Sequence, residues 1–170
     1  MKFSAINSTR HGNTVAALRI CTLLSLVQIN PAQACPVENQ RIQITAGGHT
    51  LTTEVATNLA GHMCGLAFRE NLPPDHGMLF AYAHDQIIGF WMKDTRIELS
   101  IAFMDADGKI LEIHDMDSRD PGRRYISRQP ARYALEVNRG WFDKHGIGVG
   151  NSLEIDLQSG TGIYRYSPDR

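Results

Sequence analysis

The sequence predicts a mainly β fold, a compact antiparallel sandwich or barrel of about eight short strands with one short helix. Three observations carry that expectation. Short runs with alternating or continuous apolar residues follow one another at close spacing, as in RIQITA and LSIAFMD. Turn-forming pairs such as Gly47-Gly48 and Asp107-Gly108 stand between them. The composition, 42% hydrophobic and 21% charged over 170 residues, supplies a core for one ordinary domain and is neither depleted enough for disorder nor long enough for two domains.

In order, RIQITA (41–46) and HTLTTEVA (49–56) flank Gly47-Gly48, which can take the positive φ values of a two-residue hairpin turn. Thr57 is placed to cap a short helix through Leu66, because Leu59, Met63 and Leu66 share a face; Gly61 and Gly65 weaken it and Pro73-Pro74-Asp75 stops it. Strand-favouring runs follow at 77–82, 87–93, 99–105, 109–116 and 132–137, with Asp105-Ala106-Asp107-Gly108 as a turn between two of them. Residues 138–147 read as a turn or one helical turn, 152–157 as a last strand and 162–170 as a loose tail.

The amino end reads as a targeting segment. Residues 1–34 contain no acid; Lys2, Arg10 and Arg19 precede the apolar run ICTLLSLVQI, which ends at Asn30-Pro31, and Ala32-Gln33-Ala34 places small residues before Cys35. The expected organisation is a cleavable signal peptide at 1–34, a short mature segment at 35–40, a single domain at 41–157 and a tail at 158–170. A run of about ten residues is too short for a permanent membrane helix. A lipid anchor on Cys35 is the weaker alternative, since Ala32 stands where a bulky aliphatic is usual, so the protein is expected to be periplasmic or secreted. Its 17 basic residues less three leave 14 against 18 acids after cleavage, a formal charge of -4 that argues against a nucleic-acid partner. The oligomeric state is left open. Cys35 and Cys64 are then the only cysteines, and in an oxidising compartment they are disulfide candidates; the alternative is a buried thiol at Cys64 with Cys35 unpaired.

The stretches GLAFRENLPPDHGMLFAY, FWMKDTRIELSIAFMDADGKI and YALEVNRGWFDKHGIGVGNSLEI resemble a widespread bacterial and archaeal family known as domain of unknown function 192, over about 41–157. The specific part is an aromatic followed by Trp91, Met92, Lys93 and Thr95. Members typically read GLM where this chain has Gly65-Leu66-Ala67, WMKNT where it has Asp94, LD at Leu99-Ser100 and GD at Gly150-Asn151. The resemblance implies a mainly β fold and frequent export, and no established activity.

On a strand at 87–93, Ile88, Phe90 and Met92 point one way and Gly89, Trp91 and Lys93 the other. Large aromatics are more often core, which would leave Lys93 a solvated end. The alternative is a ligand site in which Trp91 stacks on a sugar or other small polar molecule, Lys93 and Arg69 (with Arg96 nearby) hold a carboxylate or phosphate, and Asp94-Thr95 form the turn beside it. Lys93 must be exposed or paired with an acid such as Asp94 or Glu136. The candidate ligand-binding residues are therefore Arg69, Trp91, Lys93, Asp94, Thr95 and Glu136.

No cofactor is implied and no catalytic or metal site is assigned. A periplasmic copper site is the soft-metal alternative, because His62-Met63-Cys64, His76-Gly77-Met78 and Trp91-Met92 bring soft ligands close in sequence; Met63, Met78, Met92 and Met104 also sit in apolar runs, where Met fills a core. A hydrolase using Glu136 with His76 is the enzyme alternative, although GxSxG is missing and the histidines show no signature spacing. Asp105 and Asp107 open like a calcium loop, but its twelfth position is Met116. An enzyme should hold a His or acid buried in a cleft with a shifted pKa, a binding module an open groove floored by an aromatic.

Overall fold

A computed structural model describes Cys35, residues 37–155 and Leu157. The expected signal peptide and the tail from residue 158 lie outside the described residues. The elements are β1 (Gln40–Ala46), β2 (His49–Ala56), α1 (Leu59–Cys64), β3 (His76–Gln86), β4 (Gly89–Phe90), β5 (Leu99–Met104), β6 (Ile110–Met116), β7 (Tyr125–Ile126), β8 (Ala131–Asn138), α2 (Trp141–Lys144) and β9 (Leu153–Ile155). The fold is mainly β, as the sequence predicts.

Seven strands form one sheet in the order β6-β5-β8-β3-β2-β1-β9, antiparallel except for β2 and β3. That parallel pair requires a crossover, supplied by residues 57–75, and the crossover brings α1 and Arg69 across a sheet face. The sheet curls until its edges meet. Lys109 bridges Ser152, and Leu153 donates its N–H to the Gly108 carbonyl at 3.0 Å. Gly108 makes this approach possible: its φ is +75°, and a Cβ there would lie 2.4 Å from the Leu153 carbonyl oxygen.

The alternation of β1 buries Ile42, Ile44 and Ala46 and leaves Arg41, Gln43 and Thr45 outside. Central strands β3, β5 and β8 are buried on both faces. Leu79, Ala102, Leu135 and Val137 join Trp141 and Phe142 in one core layer; Phe80, Ile101, Phe103 and Ala134 join Leu66, Phe90, Met92 and Tyr125 in the other. The second layer is roofed by connecting segments, and the candidate site lies among them.

Local chemistry explains most boundaries. Gly47 and Gly48 both have positive φ, and Ala46 pairs with His49 across them. The Asp105 carboxylate accepts N–H bonds from Asp107 and Lys109 at 3.0 and 2.9 Å, an Asx turn rather than a cation loop. Helix α1 differs from its expected bounds. Asn58, not Thr57, is its cap, accepting the Gly61 N–H at 2.9 Å, and Gly65 at φ +52° ends it before Leu66. The run at 87–93 also differs, because only Gly89–Phe90 is a strand; it pairs with β7, which the sequence reading missed.

Candidate functional site

Beyond Phe90 the chain turns. Thr95 N–H donates to the Met92 carbonyl at 3.0 Å and its hydroxyl to the Lys93 carbonyl at 3.3 Å. Asp94 takes φ +57° and its carbonyl accepts the Phe68 N–H at 2.8 Å, while Phe68 itself has φ +64°. These are the two non-glycine residues with positive φ among the described residues, and one hydrogen bond joins them. Backbone strain of this kind collects where a loop must be held in one shape. Asp94 and Thr95 thus hold the turn and do not line the neighbouring cleft.

The alternation expected for 87–93 holds even where the strand does not. Ile88, Phe90 and Met92 are buried, Trp91 is 37% exposed and Lys93 is exposed. The placement of Trp91 in the core is therefore corrected, because the turn lifts its ring to the rim of a cleft of about 190 Å³. The Arg124 guanidinium lies over that ring, 4.0 Å from its centre. Lys93 lines the same rim. Among the described residues neither cation belongs to an ion pair.

Glu136, on β8, lines the cleft below them. It is 4% exposed, and no hydrogen bond reaches its carboxyl among the described residues. Burial pushes its pKa up to about 8, opposed by the positive charge of Arg69. Two glycines lie close to Glu136. A Cβ on Gly77 would lie 2.6 Å from the Glu136 carbonyl oxygen, and a Cβ on Gly65 would lie 4.0 Å from its carboxyl. Tyr82 and His62 complete the wall, their rings 4.4 Å apart. His62 Nε2 lies 3.0 Å from the Ala56 carbonyl. Burial, then the nearby Glu136 charge, raises the Tyr82 phenol to about 12, so it stays protonated. Tyr82, Gly65 and Arg124 escaped the sequence reading as site residues and His62 was weighed there only as a soft-metal ligand, since each acquires its place only through the crossover or the β4–β7 pairing.

Arg69 is not in this cleft. It donates two bonds, 2.8 and 2.7 Å, to the Glu54 carboxylate, which Arg41 approaches at 3.8 Å, and it opens on a separate recess beside Cys35. Those bonds hold the Glu54 carboxyl below its ordinary pKa. Arg69 reaches Glu136 through its field alone. Arg96 is exposed outside the cleft.

The alternative constellations do not assemble. Cys35 and Cys64 form a disulfide with Cα atoms 5.7 Å apart, which removes the Cys64 thiolate from any metal set, while Met78 and Met92 are buried in the core. His76 starts β3, whereas Glu136 pairs with Met78 two residues on, and no hydrogen bond joins the proposed acid to that histidine among the described residues.

The chain matches the family DUF192, described as Uncharacterized ACR, over residues 42–155. Two solved structures are similar. One, from Sinorhizobium meliloti 1021 and provisionally described as a transcription regulator, is 32% identical, covers 69% of this chain and 93% of its own, and has a TM-score of 0.63. The other, a protein of unknown function from Novosphingobium aromaticivorans DSM 12444, is 29% identical, covers 71% and 89%, and has a TM-score of 0.66. No curated protein matches the chain.

Proposed function

We propose that this chain, which belongs to the DUF192 family of uncharacterised proteins, is an exported module of the bacterial envelope that binds a small polar ligand, with saccharide the favoured class. One observation carries the reading: the Glu136 carboxyl, which takes part in no hydrogen bond among the described residues, lines a cleft rimmed by Trp91, Lys93 and Arg124. A buried polar group without a partner is costly, and a ligand that hydrogen-bonds to it removes that cost. A half-exposed indole at the rim offers the flat apolar face on which a sugar ring stacks.

Export is supported by the basic-apolar-polar order of residues 1–34 and by the Cys35–Cys64 disulfide, which persists in an oxidising compartment. No helix among the described residues is long and apolar enough to cross a membrane. The role described for the Sinorhizobium protein is not adopted, because 14 basic against 18 acidic side chains beyond residue 34 make no phosphate-binding footprint.

A second reading has a specific observation behind it. Glu136, held protonated to about pH 8, has the character of a general acid. Among the described residues no second carboxylate lines the cleft, so a paired-carboxylate hydrolysis lacks its partner there, and binding is the better-supported function. A metabolite and glycan screen of the wild-type protein and Lys93→Ala tests it. The expected result is a ligand bound by the wild type and more weakly by a variant of unchanged melting temperature; product accumulating in the wild type and not in Glu136→Gln would favour the enzyme.

A further inference from the structure

Resting on that binding reading, we propose that the ligand is an acidic saccharide, a hexuronate-like ring whose carboxylate is taken by Lys93 and Arg124 while its hydroxyls meet Glu136 and Tyr82.

The argument begins with Arg124. Its guanidinium covers the face of Trp91 at 4.0 Å, so a ring that stacks on that face must displace it. A neutral sugar offers the displaced cation only uncharged hydroxyl and ring-oxygen acceptors. A sugar with a carboxylate gives it a charge-assisted bond, and Lys93 on the same rim contributes a second cation. With Arg124 and Lys93 unpaired among the described residues, no protein carboxylate competes for them.

The cleft is also polarised. Its charged nitrogens are on exposed side chains at the rim, while Glu136 is 4% exposed and Tyr82 half-buried below. A protonated carboxyl both donates and accepts, and so does a phenol; that pairing suits hydroxyl groups, which do the same. The arrangement fits a molecule with hydroxyls at its inner edge, an apolar ring face towards the indole and a negative charge pointing outwards. Simple carboxylates lack the ring and the hydroxyls, and neutral hexoses lack the charge. Gly65, at φ +52°, stands beside that carboxyl, where a Cβ would be in ordinary contact with Phe80 at 3.4 Å and with the carboxyl at 4.0 Å.

Calorimetric titration of the full-length protein with D-glucuronate and D-galacturonate, against D-glucose and D-galactose at matched ionic strength, tests the assignment. The expected result is binding of at least one uronate about tenfold or more tighter than its neutral parent. Lys93→Ala combined with Arg124→Ala should shrink that preference to about threefold or less, with the neutral sugar's affinity kept. Equal affinity for acid and neutral forms, or a preference that survives the double substitution, overturns the acidic class and leaves the saccharide site standing. If neither form binds while a different small polar molecule does, the saccharide class is overturned with it.

Discussion

The Arg124 guanidinium lies 4.0 Å above the Trp91 ring. The contact joins the turn after β4 to the segment before β7, two strands paired only with each other, so the rim depends on a small two-stranded sheet apart from the main one. Trp91 is thereby oriented without being packed into the core.

Trp91→Ala should therefore cost less stability than loss of a buried aromatic. Against about 3–5 kcal/mol for a fully buried ring, we expect about 1–2 kcal/mol, measured by urea unfolding, with ligand binding lost. A loss of the larger size would assign Trp91 to the fold.

Glu136 gives the protein a pH dependence of definite sign. Its folded pKa, about 8, is above the ordinary 4.5, so the folded state holds a proton that the unfolded chain releases between those values. Its contribution is fully present below pH 4.5 and is lost as pH rises through about 8. Glu136→Gln, which cannot ionise, should be near parity with the wild type in acid and more stable by roughly 2–4 kcal/mol in mild alkali. Chemical unfolding across the range checks this; a difference independent of pH would contradict it.

Arg69 acts in two places. Arg69→Met removes both bonds to Glu54, whose side chain is 15% exposed, and should cost about 1–3 kcal/mol. Because the Arg69 charge opposes the shift of Glu136, the same variant should move the alkaline loss of stability to higher pH. An unaltered pH profile would show that the two carboxyls are not linked through Arg69.

The disulfide ties the segment before β1 to the last residue of α1, a sequence separation of 29. Closing a loop of that size stabilises by roughly 3–4 kcal/mol on chain-entropy grounds. Unfolding with and without reductant should show a difference of that order, and thiols of the non-reduced exported protein should resist alkylation. Labelled Cys64 would contradict the bond.

What was legible in the sequence was local. The Gly47-Gly48 hairpin and the Asp105 turn follow from residues within four positions of each other, and the alternation of Ile88, Phe90 and Met92 against Trp91 and Lys93 survived the loss of its strand. Pairings across long distances were not legible. The parallel β2–β3 register and the β4–β7 pair have no local signature, and they decide that Arg69 turns to Glu54 while Tyr82, His62 and Arg124 reach the cleft. Thr57 lost the cap to Asn58 by one position, in keeping with the stronger N-cap preference of Asn over Thr.

Trp91 and Trp141 are the two tryptophans, and they stand in contrasting places: Trp91 at the cleft rim, Trp141 4% exposed with its Nε1–H donated to Asp75 at 3.0 Å. Their indole N–H resonances separate the site from the core in one nuclear magnetic resonance titration. With the ligands found by screening, the Trp91 signal should shift saturably while that of Trp141 stays in place, and Lys93→Ala should raise the ligand concentration that the shift requires without altering the Trp141 signal. A Trp91 signal that no bound ligand moves, or equal movement of both, would contradict a binding site at this cleft.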